Sequence, residues 1–390
     1  MTGQERSRDL WDIAVVGAGP AGASAALAAL AEHPGARVLL LDRADFPRDK
    51  VCGDGIAPHV LDVLSGLGAG DVVAGWTPLP LMDLSRGNHR VEGRMTRPVW
   101  VIPREVFDAR LVGHAVAAGA TLVRHQVRNV RREAGVVILD DAFAARVVVA
   151  ADGAYSVARP ARARRRARPR AIAIRGYAPT IPERSGRLII RYGDRPQLSY
   201  AWAFDRGDGL SNVGYGELAG RDTRVSRTLL LDQLDRLVPG TVPNGSAWRA
   251  HHLPLWGCGW GGEQPDGPVL LAGDAAGLIN PMTGEGIYYA VATGALAGRA
   301  AAGALAVGAP DDAGRRHRAA VRRLLGAHLR HTCVASRLAR RDRVLAAGIS
   351  AAAADRGAFD DLVELGLGDG RITPRLVGGL SRRLLGRAAE

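Results

Sequence analysis

Residues 12–22 read Asp-Ile-Ala-Val-Val-Gly-Ala-Gly-Pro-Ala-Gly, and Asp42 closes a second apolar run twenty residues beyond Gly22. Ile13–Val16 has the unbroken apolar character of a buried strand, Ala21–Ala31 is an alanine-rich helix, and Arg37–Asp42 is the next strand. In a parallel βαβ unit Gly17 permits the tight turn, Gly19 lets backbone approach a pyrophosphate, and Gly22 lets helix pack on strand. The helix start offers unpaired N–H groups and a partial positive charge, while Asp42 stands where a carboxylate accepts ribose hydroxyls. Strand, glycine turn, helix, strand and acid in that order predict an α/β protein that binds a dinucleotide.

A chain of 390 residues, 47% hydrophobic and 23% charged, is long enough for two domains and a large core. Its longest apolar stretch, Gly286–Ala309, contains Arg299 and is mostly Ala and Gly, which predicts a buried helix and its exit, not a membrane span. Cys52, Cys258 and Cys333 are far apart and odd in number, so neither a disulfide framework nor a metal site is expected. The first eleven residues are polar and charged, without a signal-peptide pattern, and cytoplasmic placement is the expectation.

The net charge of +13 raises the question of nucleic acid. Lys50 is the only lysine, however, and the seven arginines of Arg159–Arg170 have no interleaved aromatics on which bases would stack. That run reads as a solvated linker, and no nucleic-acid partner is expected. In the basic segment Arg315–Arg343, Val321, Leu324, Leu325, His328 and Leu329 fall on one helical face. Such a face packs on its own protein, with peripheral contact to anionic lipid as the alternative.

Two later landmarks extend the ligand. Val147–Ala151 runs into Asp152-Gly153, and Val269–Ala272 runs into Gly273-Asp274, followed by Gly284-Glu285-Gly286-Ile287 and a helix. Each puts a carboxylate and free N–H groups at the carboxyl edge of a parallel sheet, where ligands bind. Two such acids downstream of the first fingerprint call for a ligand longer than NAD across one βαβ unit. No second Gly-x-Gly-x-x-Gly appears, since Asp71 breaks the glycine cluster at 66–70, so no separate nicotinamide domain is expected.

These landmarks resemble the FAD-dependent oxidoreductases of the hydroxybenzoate-hydroxylase-like fold. The resemblance implies that Gly17, Gly19, Gly22 and Asp42 hold the ADP half of FAD, with Val127 against adenine and Asp152 near the pyrophosphate. It further implies that Arg104, in Ile-Pro-Arg-Glu-Val-Phe-Asp, lies near the cofactor and Asp274 near the ribityl chain. Arg43 and Gly273 count among the cofactor-binding residues, and Gly284, Gly286 and Ile287 would aim a helix start at the flavin N1–C2=O edge. A disulfide-reductase type is disfavoured because Ala57 stands where Cys52 would need its partner.

The loop Phe46-Pro47-Arg48-Asp49-Lys50-Val51-Cys52-Gly53-Asp54-Gly55 reads, on its residues alone, equally as a turn with a surface lysine or as a functional loop. It resembles the Pro-x-x-Lys-x-Cys-Gly-x-Gly signature of the geranylgeranyl reductase family, actinobacterial type. Tyr200-Ala-Trp202-Ala-Phe204 with Asn212-Val-Gly-x-Gly, and the segment from Phe359 to Thr373, are similar to that family as well. Tyr200, Trp202 and Phe204 share one strand face and suit an apolar substrate, though an ordinary sheet core would look the same. Two departures, Asp205 for proline and Ala57/His59 after Gly55, are expected to touch the substrate side.

The resemblance implies reduction of carbon–carbon double bonds of an isoprenoid or other apolar substrate by hydride from reduced flavin N5. Cys52 and Lys50 are the candidate proton donors, Lys50 equally a candidate to orient the flavin or a substrate headgroup, and the electron donor (NAD(P)H, ferredoxin or another) is unspecified. His251 and His252 read as structural or exposed, with lining of the pocket as the alternative. The alternative is an FAD-dependent monooxygenase or dehydrogenase of specialised metabolism; halogenation is disfavoured because Tyr200 and Asp205 break the Trp-x-Trp-x-Ile-Pro motif. A flavin electron shuttle without turnover would leave the Cys52 loop unexplained. The expected architecture is a Rossmann-like FAD-binding domain (8–75, 100–158 and 262–310) interleaved with a substrate sheet (76–99 and 171–261) and a helical C-terminal region (311–390).

Overall fold

The computed structural model describes residues 9–159, 170–219, 225–256 and 264–385. Cys258 and most of the arginine run, 160–169, lie outside the described residues. The N-terminal part forms β1 (Leu10–Val16), α1 (Pro20–Glu32), β2 (Val38–Asp42), β3 (Gly55–Ile56), α2 (Pro58–Ser65), β4 (Leu79–Arg86), β5 (His89–Val101) and α3 (Arg104–Ala117). Then come β6 (Thr121–Arg124), β7 (Val130–Glu133), β8 (Val136–Leu139) and β9 (Phe143–Ala150). The middle supplies β10 (Arg170–Pro179), β11 (Arg187–Tyr192), β12 (Ser199–Asp205), β13 (Leu210–Leu218), α4 (Arg227–Leu237) and β14 (Ser246–Pro254). After β15 (Val269–Leu271) the chain is helical: α5 (Ile287–Ala306), α6 (Ala313–Ala339), α7 (Asp342–Ala354), α8 (Arg356–Leu367) and α9 (Pro374–Leu385).

The strands make two sheets. The first runs β6-β2-β1-β9-β8-β7, with β15 also on β9. β1 pairs in parallel with both β2 and β9, Val16 standing opposite Leu41 and Ala150, so the glycine turn, Asp42 and Asp152 emerge at one edge. The inner stretches 13–16, 38–41 and 147–150 of its central strands are apolar and buried because both faces are covered. The second sheet runs β14-β10-β13-β12-β11-β4-β5-β3. Trp202 of β12 lies opposite Gly214 of β13, where a Cβ would overlap the indole. That glycine is the space the aromatic side chain occupies.

Helices α1 and α5 meet backbone to backbone. A Cβ on Gly294 would overlap the Ala21 carbonyl, and one on Gly298 the Ala25 carbonyl. The alanine and glycine richness of both helices is therefore a packing requirement. Residues Val321, Leu325 and Leu329 of α6 join the same core, and His328 is held by Tyr289 Oη at 2.7 Å and the Gly370 carbonyl at 2.6 Å. Leu324 departs from the expected face and is 39% exposed, and the basic helix stops at Ala339 before α7 begins. Among the described residues no helix is long and apolar enough to cross a membrane.

Replacing Gly298 by Ala should cost about 1–3 kcal/mol, because backbone cannot retreat from backbone. Gly303, on the same helix, has only an arginine tip 3.8 Å from its missing Cβ, so Gly303→Ala should stabilise by up to about 1 kcal/mol. Denaturant titration of the two variants reads both signs; equal effects would remove the close contact as the cause.

Candidate active site

The carboxyl edge of the first sheet opens into a cavity of about 980 Å³ that continues to the inner face of the second sheet. Gly17, Gly19, Asp42, Arg43, Val127 and Asp152 line it. So do Arg104, Asp274, Gly284, Gly286 and Ile287, together with Lys50, Cys52 and the aromatic row Tyr200, Trp202 and Phe204. Gly22 and Gly273 do not face it. Gly22 sits against the Gly17 carbonyl and 3.1 Å from Val15 Cγ1 at its missing Cβ, and Gly273 packs between Ala21 and Ala290.

Asp42 is fixed by two backbone donors, Ala18 N at 2.9 Å and Ala44 N at 3.0 Å, and by Arg48 at 3.4 Å. Helix α1 begins at Gly19 with no side-chain cap, and Asp152 Oδ1 is buried without a partner. An uncapped helix start and an orphaned carboxylate oxygen in one cavity call for a phosphate and a hydrogen-bond donor from a ligand. Burial, opposed by Ser156 and the Val157 N–H, pushes the Asp152 carboxyl up. Arg159, at the start of the arginine run, is half-buried and donates to the Asp274 and Ala275 carbonyls at 3.0 and 2.8 Å.

The Cys52 loop lies on the aromatic wall. The missing Cβ of Gly53 would be 3.4 Å from the Phe204 ring. Trp202 Nε1 donates to Asn212 Oδ1 at 2.8 Å, and Asn212 Nδ2 donates to the Cys52 carbonyl at 2.9 Å and to Asp54 Oδ2 at 2.7 Å. Tyr177 Oη donates to the same Asp54 oxygen at 2.8 Å. At the other end of the wall, Tyr200 Oη donates to the Thr283 carbonyl just before α5. The wall thus spans from the loop to the helix start, its rings stepping 5.9 and 6.3 Å centroid to centroid.

Lys50 is no free surface lysine: its Nζ is 3.1 Å from Asp274 Oδ2 and ties the loop to the turn after β15. Burial would raise Asp274, yet Lys50 holds it below the usual carboxylate range. Burial pushes the Cys52 thiol up, against the pull of the Arg104 guanidinium, so the sulfur keeps its proton at neutral pH. Arg104 is itself buried and gripped by Asp108 at 2.6 and 2.8 Å while reaching the thiol. Burial also raises Asp54 to about 6 and Glu285, whose Oε1 accepts from Tyr288 N at 2.9 Å, to about 7.

Against known sequences, the FAD binding domain family matches residues 11–184. The chain is 33% identical to the menaquinone reductase of Mycolicibacterium smegmatis over 314 residues, 73% of this chain and 75% of that one. It is also 33% identical to digeranylgeranylglycerophospholipid reductase 1 of Methanopyrus kandleri, over 76% of this chain and 81% of that one. The chain belongs to the geranylgeranyl reductase family.

It is an FAD-dependent oxidoreductase. A geranylgeranyl bacteriochlorophyll reductase-like protein of Thermoplasma acidophilum shares the fold, with a TM-score of 0.76 at 18% identity, covering 98% of this chain and 99% of that one. The cavity fits the cofactor these family members use. The uncapped start of α1, the orphaned Asp152 oxygen and the doubly anchored Asp42 are the groups an ADP moiety needs.

The structure decides several readings that the sequence left open or missed. His251 lines the cavity, whereas His252 is exposed; burial and nearby Lys50 lower the His251 pKa. The Asp205 side chain does not line the cavity: it turns back to accept from Gly186 N at 2.7 Å and Gly207 N at 2.9 Å. His59 pairs with Glu364 at 3.0 Å and packs on Tyr288. Asn212 was visible as part of a motif, but its bridging role depends on strand pairing.

Asp54 yields a test through pH. Its folded pKa, about 6 against an ordinary 3.8, means the native state holds a proton that the unfolded chain has released in that window. The associated stability is complete below the ordinary value and lost as pH rises through the folded one. Wild-type stability relative to Asp54→Asn should therefore fall between about pH 4 and pH 7. Parallel denaturation curves across that range would show that Asp54 ionises without penalty.

Proposed function

We propose that the cavity reduces the isolated double bonds of an isoprenoid chain lying between the aromatic wall and the cofactor, with Cys52 as the proton donor. The observation that carries this is the placement of one neutral thiol on an aromatic wall that continues into apolar lining from Leu345, Ile349, Leu362 and Leu380. Reduced FAD, when bound, supplies a hydride to one alkene carbon. An isolated alkene has no carbonyl to stabilise the resulting charge, so a proton must reach the other carbon nearly in concert. The Cys52 S–H bond breaks as that C–H bond forms, and the thiolate left behind faces the Arg104 guanidinium. Lys50 acts through Asp274, holding the loop in register with the turn after β15. Tyr200, Trp202 and Phe204 exclude water and orient the chain.

Holoprotein reduced with dithionite should convert geranylgeranyl lipids or menaquinone to products heavier by pairs of hydrogens. A product that gains an oxygen atom instead supports the monooxygenase alternative. Cys52→Ala should keep its flavin spectrum while turnover drops about 10²–10⁴-fold, the range of a lost general acid. Full turnover in that variant removes the thiol from the reaction.

We also assign peripheral lipid contact to α9, since the apolar face of α6 is buried in the core. Val377 is 50% and Leu385 71% exposed, beside Arg382 and Arg383. Co-sedimentation with anionic vesicles should be salt-sensitive and lost in Val377→Asp. No binding at low salt ends this assignment.

A further inference from the structure

Helix α5 begins differently from α1. The start of α1 has no side-chain cap and is open to a ligand, whereas at the start of α5 a carboxylate is already in place. Glu285, the residue before the N-cap Gly286, lines the cavity and turns its side chain back over the helix end. Its Oε1 accepts from Tyr288 N at 2.9 Å, and the carboxylate also draws on the Ile287 and Gly286 N–H groups. The turn beneath it is fixed, with Asn280 N donating to the Glu285 carbonyl at 2.8 Å and Glu285 N to Thr283 Oγ1 at 3.3 Å.

Among the described residues no lysine or arginine pairs with this carboxylate. The cation that acts on it is His59 of α2, which is itself engaged by Glu364 of α8 at 3.0 Å and flanked by Asp369. Its other titratable neighbours are Tyr288 and Tyr289 on α5 and Tyr200 on β12, whose hydroxyls burial keeps protonated. Burial pushes Glu285 up to about 7, opposed by the helix N–H groups and by His59. A small change in local charge therefore decides whether it holds a proton.

The cofactor brings such a change. Gly284, Gly286 and Ile287, which line the cavity beside Glu285, are the residues expected to face the flavin N1–C2=O edge. Two-electron reduction brings two electrons and one proton to the ring and leaves it one negative charge. Two negative charges at one helix start in a buried cavity repel, and a proton on one of them is the lower-energy outcome.

We propose that Glu285 takes up a second proton from solvent when the bound flavin is reduced and releases it when the flavin is reoxidised. Two electrons are then balanced by two protons, one on the ring and one on Glu285. By linkage, the ionised carboxylate disfavours reduction by the same factor by which reduction disfavours its ionisation. This deepens the reductase reading and rests on FAD lying against this helix start. The one proton that Glu285 releases at reoxidation matches the one that the Cys52 thiolate must recover.

The test is the equilibrium between oxidised and reduced flavin in the holoprotein, followed by absorbance against redox dyes from about pH 6 to about pH 9. Each proton taken up makes reduction about tenfold less favourable per pH unit, about 30 mV for a two-electron couple. Below about pH 7 Glu285 is already neutral in the oxidised protein, so wild type should change about tenfold per unit there and about a hundredfold per unit above. Glu285→Gln, which keeps an acceptor for Tyr288 N, should change about tenfold per unit throughout and be about tenfold or more easier to reduce near pH 9. His59→Gln should keep the wild-type break.

A uniform tenfold dependence in wild type overturns the proposal without recourse to any variant. So does a steep dependence that lies at the acid end, survives in Glu285→Gln or vanishes in His59→Gln, because the ring itself or His59 then takes the proton. Alkene reduction is scored separately on the same preparation. Redox-linked uptake at Glu285 without alkene reduction keeps this role and sinks the reductase reading, and alkene reduction with a one-proton dependence does the reverse.

Discussion

The contact between α1 and α5 sets the geometry on which everything else depends. Gly294 and Gly298 let the two helices touch through their backbones, at Ala21 and Ala25. One helix begins at Gly19 and the other just after Gly286, and both starts face the same cavity. Two partial positive charges are thereby fixed at positions no side chain can vary. A bulkier residue in this seam would separate the helices and misalign both ends of a ligand that has to meet them together. The first sheet reinforces the arrangement, since β1, β2, β9 and β15 are parallel and release their loops at a single edge.

The second constraint is a buried polar network that joins the Cys52 loop to the substrate sheet. Arg175 is fully buried, pairs with Asp49 and stacks 4.6 Å from the Tyr177 ring, while Arg206 covers the same ring at 4.7 Å. Tyr177 and Asn212 converge on Asp54, which holds a left-handed backbone with φ of 61°. Arg175 Nε and Nη1 and Asp54 Oδ1 have no partner, so the network is not optimal for stability. A costly conformation retained beside the Cys52 thiol is the pattern of a site organised for geometry. Asn212 is its junction, because the same amide fixes the Trp202 indole and the Cys52 carbonyl.

How much of this was legible in the sequence follows from the range of each interaction. The glycine turn and Asp42 were legible because their roles are local: positive φ at Gly17, close packing at Gly22 and an acid at a strand end. The pairing of Lys50 with Asp274 spans 224 residues, and no periodicity reports it. Asp205 looked like a change in the wall, yet its carboxylate serves a turn, because β12 ends there and the chain reverses. His251 faces the cavity and His252 does not, through the alternation of β14. The basic helix read correctly for Val321, Leu325 and Leu329 and wrongly for Leu324, which lies at the rim of the buried stripe.

The cavity is polar at one end and apolar at the other, and this gradient constrains the order of events within it. Backbone donors along Gly17–Gly22 and the accepting carboxylates of Asp42 and Asp152 gather at one end, where a nucleotide's phosphates and sugar find partners. Toward α7, α8 and α9 the lining is Leu345, Ile349, Leu362 and Leu380, which offers no partner to a charged group. A chain whose head is polar cannot cross that apolar stretch head first without desolvating the head, at several kcal/mol for an unpaired charge. It must therefore enter tail first, leaving the head outside the last hydrophobic ring. The thiol of Cys52 and the aromatic wall line this same cavity, together with the groups of both ends. On the proposed reading, this distribution of polarity sets where the tail and a nucleotide cofactor meet before any catalytic group is considered.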